Sequence, residues 1–188
     1  VEKVIHHGDL VPRVRPFLAQ LRRIKGVLNL EDIPPLQALT ELRCDVYCAQ
    51  PLEGVLPISL TRLSLGHAFN HAIADGVLPV SLKQLSFGCD FNQAIAEGVL
   101  PGSLTDLSFG YLFNQPIAEG VLPGSLTQLR FGARFDQPIA EGVLPSSLTQ
   151  LSFGLHYDKP IAEGVLPTTL TQLSLHQDFN RALPRLSN

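Results

Sequence analysis

A 22-residue period constrains this chain more than any other feature it has. Prolines at Pro57, Pro79, Pro101, Pro123, Pro145 and Pro167 are spaced by 22 without slippage, and residues 100–121, LPGSLTDLSFGYLFNQPIAEGV, recur almost unchanged as 122–143, LPGSLTQLRFGARFDQPIAEGV. A unit this short cannot enclose its own apolar side chains, so successive units must stack and bury a shared core, which predicts a solenoid. A worn copy precedes the regular ones: Leu39 and Leu42 lie 21 residues before Leu60 and Leu63. Leu18 and Leu21 stand 21 residues earlier again, which extends the expected period toward the N-terminus.

Within a unit, the alternation Leu151, Ser152, Phe153 is that of a short strand. The rest of the unit excludes a regular helix, because Pro160 and Pro167 bracket a six-residue stretch that contains Gly164. Each coil is therefore expected to be one strand followed by turns. Superposing the units gives an aromatic column at Phe69, Phe91, Phe113, Phe135, Tyr157 and Phe179, and a second at Leu65, Phe87, Phe109, Phe131, Phe153 and Leu175. Beside the first runs Asn70, Asn92, Asn114, Asp136, Asp158 and Asn180, whose short polar side chains suit bonding to turn amides of the adjacent coil.

The segments FNQPI (113–117) and LPGSLTQLRFG (122–132) closely resemble the FNIP repeat of the leucine-rich repeat superfamily. The resemblance covers residues 55–180, extends weakly over 39–54 and leaves 1–38 uncovered. Local departures are Ala72 and Ala94 in place of the motif's Pro, Asp136 and Asp158 in place of its Asn, and His176 in place of Gly. The resemblance implies a leucine-rich-repeat-like right-handed solenoid, with a parallel β-sheet on one face and irregular, turn-rich coils on the other. It also implies use as a protein-interaction module. In the family some arrays are joined to F-box-like or kinase segments, and neither pattern is found in this sequence.

Residues 1–38 are expected to form an N-terminal cap, with 39–188 forming the repeat array of the same single domain. From Asp9 to Gly26 the sequence reads as a capping helix near 12–25: Phe17, Leu18, Leu21 and Ile24 share a face, Pro16 suits a first turn and Gly26 a stop. The formal net charge of -3 implies neither nucleic acid nor an anionic membrane as partner. Charge is uneven: residues 1–30 hold six Lys or Arg against two acids, whereas 51–188 hold seven against eleven, and the basic end reads as a solvated cap. No apolar run approaches the roughly 18 residues of a bilayer span, and VEKVIHHGDL lacks the shape of a signal peptide. Three cysteines, Cys44, Cys48 and Cys89, are an odd set for a disulfide framework. They read as reduced thiols in an intracellular, cytoplasmic setting.

Catalysis needs unlike residues converging, whereas a solenoid lays like residues in rows. The sequence holds no P-loop, GxSxG or HExxH pattern, and it predicts a noncatalytic protein without cofactor. Cys44 and Cys48, near His6, His7 and Asp9, invite a metal reading. A single C-x3-C inside the worn repeat, with Cys44 replacing Leu65 and Cys48 replacing Phe69, instead predicts two thiols filling apolar columns. The acidic column Glu53, Asp75, Glu97, Glu119, Glu141 and Glu163 lacks further side-chain ligands and reads as a solvated ridge. Paired hydroxyls such as Ser103 with Thr105 and Ser125 with Thr127 suggest an ice-binding grid, but Lys83 interrupts it and such serines can cap turns.

Variation between otherwise near-identical units is confined to one strip. The two residues after the strand Gly differ in nearly every unit, as in Cys89 and Asp90, Tyr111 and Leu112, Ala133 and Arg134, Leu155 and His156. Outward strand neighbours are Asp106, Gln128 and Gln150, and Arg130 replaces the usual Ser. Exposed Tyr and Arg are enriched at binding hot spots, so the strip predicts a protein-binding face formed by Asp106, Tyr111, Leu112, Gln128, Arg130, Arg134, Gln150, Leu155 and His156. Two alternatives are a structural spacer that self-associates through an open C-terminal edge, and ice binding by the Ser and Thr rows.

Overall fold

The computed structural model describes residues 2–4, 23–26, 38–44 and 51–184 of the 188-residue chain. Nine strands are found among them: β1 (Glu2–Val4), β2 (Arg23–Gly26), β3 (Glu41–Cys44), β4 (Arg62–Ser64), β5 (Gln84–Ser86), β6 (Asp106–Ser108), β7 (Gln128–Arg130), β8 (Gln150–Ser152) and β9 (Gln172–Ser174). They form one parallel sheet in sequence order. The 22-residue period sets the register directly: Leu63, Leu85, Leu107, Leu129, Leu151 and Leu173 stand opposite one another in succession. The expected 21-residue step also holds, since Leu42 pairs with Leu63.

Turns complete each coil. In the unit starting at Pro101, the N–H groups of Leu104, Phe113 and Val121 donate to the carbonyls of Pro101, Gly110 and Ala118. The third turn places Gly120 at φ 82°, the left-handed position that its geometry demands and that glycine adopts without steric cost. The described residues contain no helix, and none of them forms a helix long and apolar enough to cross a membrane. What was expected as one strand followed by turns is a leucine-rich-repeat-like parallel solenoid.

The core lies between the sheet and the turns. Phe109 and Phe113 stack within one coil at 3.8 Å between centroids, and Phe113 stacks on Phe91 and Phe135 at 6.0 Å in the neighbouring coils. The two aromatic columns are thus one interleaved ladder. Flanking it are Leu104, Leu107, Val121 and Leu122, all buried, and their equivalents, which are buried in the central coils and partly buried toward the two ends, as at Val55 and Leu173.

Two expectations for the N-terminal region need correction. Residues 23–26, assigned to the end of the capping helix, form strand β2 between β1 and β3. Backbone pairing with a strand on each side overrides the helix-compatible spacing of the sequence at 23–26. Residues 5–22, which hold the remainder of the expected helix, lie outside the described residues. The phase of the repeat also shifts here: Ile24 stands opposite Leu42, a step of 18 residues, where the pairing expected from Leu21 was 21. Cys44 is buried at the end of β3, as expected of a thiol filling an apolar column. Cys48 lies outside the described residues.

Candidate functional site

Side chains alternate across β4 to β9. The central Leu of each faces the core, and its neighbours, such as Asp106 and Ser108 on β6 or Gln128 and Arg130 on β7, face outward. Asp106, Gln128 and Arg130 line a shallow groove that runs along this face as far as Glu41 on β3. Glu41 is only 4% exposed and accepts from Arg43 Nε at 2.8 Å, with Arg62 3.7 Å away, so the groove ends on a charged cluster. A second depression, toward the last coil, joins Arg130, Gln150 and Gln172.

A Gly-x-x turn begins two residues after the end of each of β4 to β8, so its two variable residues form a rim at the carboxyl ends of these strands. Successive rims are tied by backbone bonds: the N–H groups of Asp90, Leu112, Arg134 and His156 donate to the carbonyls of His67, Cys89, Tyr111 and Ala133 at 2.8–3.0 Å. This ladder fixes the spacing of the side chains it carries. Tyr111 is 45% exposed and the Arg134 guanidinium lies over its ring at 5.7 Å, within range of a cation–π contact. Leu155 is 43% exposed, Arg134 and His156 are exposed, and Leu112 is half-buried. Of the nine residues expected in the binding face, Asp106, Gln128 and Arg130 share the main groove, and Arg130 and Gln150 share the second depression. Tyr111 and Arg134 meet on the rim, while Leu112, Leu155 and His156 stand along it without lining either groove.

The other polar columns are engaged between coils. Ser103, Ser125 and Ser147 Oγ donate to the carbonyls of Leu82, Leu104 and Leu126 at 2.6–2.7 Å, and Thr105, Thr127 and Thr149 donate to the carbonyls of residues 83, 105 and 127 at 3.1 Å. Asn92 Oδ1 accepts from the Asn114 N–H and Asn114 Oδ1 from the Asp136 N–H, both at 2.9 Å, which is the inter-coil role expected of the Asn column. At Asp136 burial pushes the carboxyl up, but hydrogen bonds from Lys159 and the Asp158 N–H outweigh it and hold it below the usual value. The acidic column is exposed, with the Glu97 side chain lying against Gly120 of the next coil.

One grouping was missed by sequence reasoning. His67, Cys89 and Asp90, on the rims of two adjacent coils, bring a ring nitrogen, a thiol and a carboxylate within 4.8 Å of one another. The signal was present, since His67 and Cys89 occupy the same place in successive 22-residue units.

Comparison with known proteins agrees with this architecture. The FNIP Repeat family matches residues 49–90, 69–112, 113–156 and 135–178. No curated protein matches. A solved structure described as CroV588, a novel circular leucine-rich-repeat protein, superposes with a TM-score of 0.81 at 46% identity, over 87% of this chain and 25% of that one. This chain therefore spans about a quarter of that structure's length. With matches in register over most of the array, the chain belongs to the FNIP repeat family.

Proposed function

We propose that this chain is a noncatalytic scaffold that binds a protein partner through the variable strand face and rim between residues 106 and 156. The observation that carries this reading is the contrast between columns. The Leu, Phe, Ser, Thr and Asn columns each pack against or hydrogen-bond to the neighbouring coil, whereas the two rim positions differ in nearly every coil and Asp106 and Arg130 depart from the Gln and Ser usual on the outward strand face. Their chemistry supports the reading further. Tyr111 beneath Arg134, exposed Leu155 and His156, and Arg130 at the groove combine aromatic, apolar and cationic groups of the kind that anchors interfaces.

The test is affinity for a partner captured by cross-linking and then purified. Arg130→Glu with Arg134→Glu should weaken binding by about thirtyfold or more, as loss of a hot spot does, with circular dichroism unchanged. Equal affinity of the double variant sinks this placement of the interface.

A second reading is edge-to-edge self-association. It draws on the last described coil, where Leu173, Leu175 and Phe179 are only partly buried and Phe179 stacks on Tyr157 alone. Light scattering that shows mass rising with concentration would favour it over a monomeric binding module. Ice binding is disfavoured, because the Ser and Thr hydroxyls donate to carbonyls of the preceding coil.

A further inference from the structure

We propose that His67, Cys89 and Asp90 form a three-ligand site for a zinc-class divalent cation, independent of the protein-binding reading. Their ligand atoms lie within 4.8 Å of one another. Tetrahedral zinc, with bonds of about 2.0–2.3 Å, places its ligands roughly 3.5 Å apart. Closing from the observed spacing needs movements of about 1 Å or less, within reach of small side-chain rotations.

The scaffold beneath these side chains is held firmly. The Asp90 N–H donates to the His67 carbonyl at 2.9 Å, which ties the two rims together at this point. Gly88 lies so close against Gly66 and His67 of the preceding coil that a Cβ there would collide with backbone. Ligands on two rigid, touching turns lose little entropy when they converge on an ion. His67 is exposed and Cys89 and Asp90 are half-buried, so the site opens to solvent and an ion can enter.

Donor chemistry selects the ion. Thiolate and imidazole favour zinc and its neighbours, whereas calcium and magnesium seek oxygen ligands in larger number. A thiolate and a carboxylate supply two negative charges, which neutralise a divalent cation alongside a neutral imidazole. Three protein ligands leave a fourth position for water or for a donor from outside. Among the described residues this is the one such group of three. The equivalent rim positions in later coils are Tyr111 and Leu112, Ala133 and Arg134, Leu155 and His156, then Gln177 and Asp178, none of which joins a His, a Cys and an Asp.

The experiment titrates the reduced, chelator-stripped chain with Co2+ and then displaces it with Zn2+. One equivalent of Co2+ should bind, with a thiolate-to-cobalt charge-transfer band and the intense visible bands of four-coordination, and Zn2+ should abolish both. Cys89→Ser should lose the charge-transfer band, and His67→Ala and Asp90→Asn should each weaken binding at least about tenfold. All three positions lie on a solvent-facing rim, and unchanged circular dichroism would show that the variants fold. His6→Ala with His7→Ala should leave the spectrum and affinity intact. The proposal is overturned by the absence of saturable binding, by a band that survives Cys89→Ser, or by unaltered affinity in His67→Ala and Asp90→Asn.

Discussion

Replacing Gly132 with Ala tests how closely the coils are packed. A Cβ at this position would fall far inside the Gly110 carbonyl and stand 3.1 Å from Tyr111 Cα, all of it backbone that cannot rotate away. Coils β6 and β7 would have to part by more than about 1 Å at this point to restore ordinary contact. Two backbone bonds flank the contact, from Phe109 N–H to the Arg130 carbonyl at 2.9 Å and from Arg134 N–H to the Tyr111 carbonyl at 3.0 Å. Breaking both costs about 1–3 kcal/mol each. Weakening the Phe109–Phe131 stack, at 5.6 Å between centroids, adds about 0.5–1.5 kcal/mol. The sum, roughly 2.5 to 7.5 kcal/mol, is a large part of a typical domain's stability. Gly124→Ala is the control: nothing lies within 4 Å of its Cβ and its φ is not left-handed, so the change should be neutral or stabilise by up to about 1 kcal/mol. Urea unfolding followed by circular dichroism measures both. Because a solenoid's stability is a sum over neighbouring coils, Gly132→Ala should also broaden the transition or split it in two. A loss below about 1 kcal/mol, or one no larger than for Gly124→Ala, refutes the close-approach argument.

Two further predictions concern the aromatic ladder. Phe113→Ala removes a 1% exposed ring with stacking partners in its own coil and both neighbours and should cost about 3–5 kcal/mol; Phe179→Ala, half-buried with one partner, should cost less than half of that, and equal shifts in urea midpoint would contradict the ladder. Tyr157 replaces Phe in the first column, and its buried hydroxyl has no hydrogen-bond partner among the described residues, so Tyr157→Phe should stabilise the protein by about 1–2 kcal/mol. Burial, with a smaller contribution from the Asp136 charge, pushes this phenol up to about 12 from 10.0. Its folded-state value is raised, so the protonated phenol's contribution is complete below pH 10 and is lost as pH rises toward 12, at about 1.4 kcal/mol per unit. Tyr157→Phe should lack this loss, so its stability advantage over wild type should widen as the unfolding free energy is measured from pH 9 to 11.5, and a constant difference across that range would count against it.

Much of the array was legible because a repeat makes sequence position equivalent to spatial position. The strand at Leu107, the ladder through Phe109 and Phe113 and the inter-coil role of Asn114 all follow from a 22-residue step that returns each residue to its own column. The nine residues expected at the binding face were legible as a strip for the same reason, although their separation into a strand groove and a rim was not. Where the period lapses, the reading failed. Residues 23–26 carry helix-compatible spacing, and only pairing with β1 and β3 makes them a strand with Ile24 opposite Leu42.

The sequence by itself determined the parallel solenoid, its register from Leu42 onward and the identity of its core columns, because stacking identical short units leaves the apolar rows one way to be buried. Tertiary structure alone decided how closely and at what angle the coils meet. That distance makes Gly132 indispensable, turns the Ser125 and Thr127 hydroxyls onto the carbonyls of the preceding coil and brings His67 within reach of Cys89 and Asp90. Periodicity specifies which residues are neighbours, while the rise between coils and the geometry of each turn set which atoms of those neighbours touch.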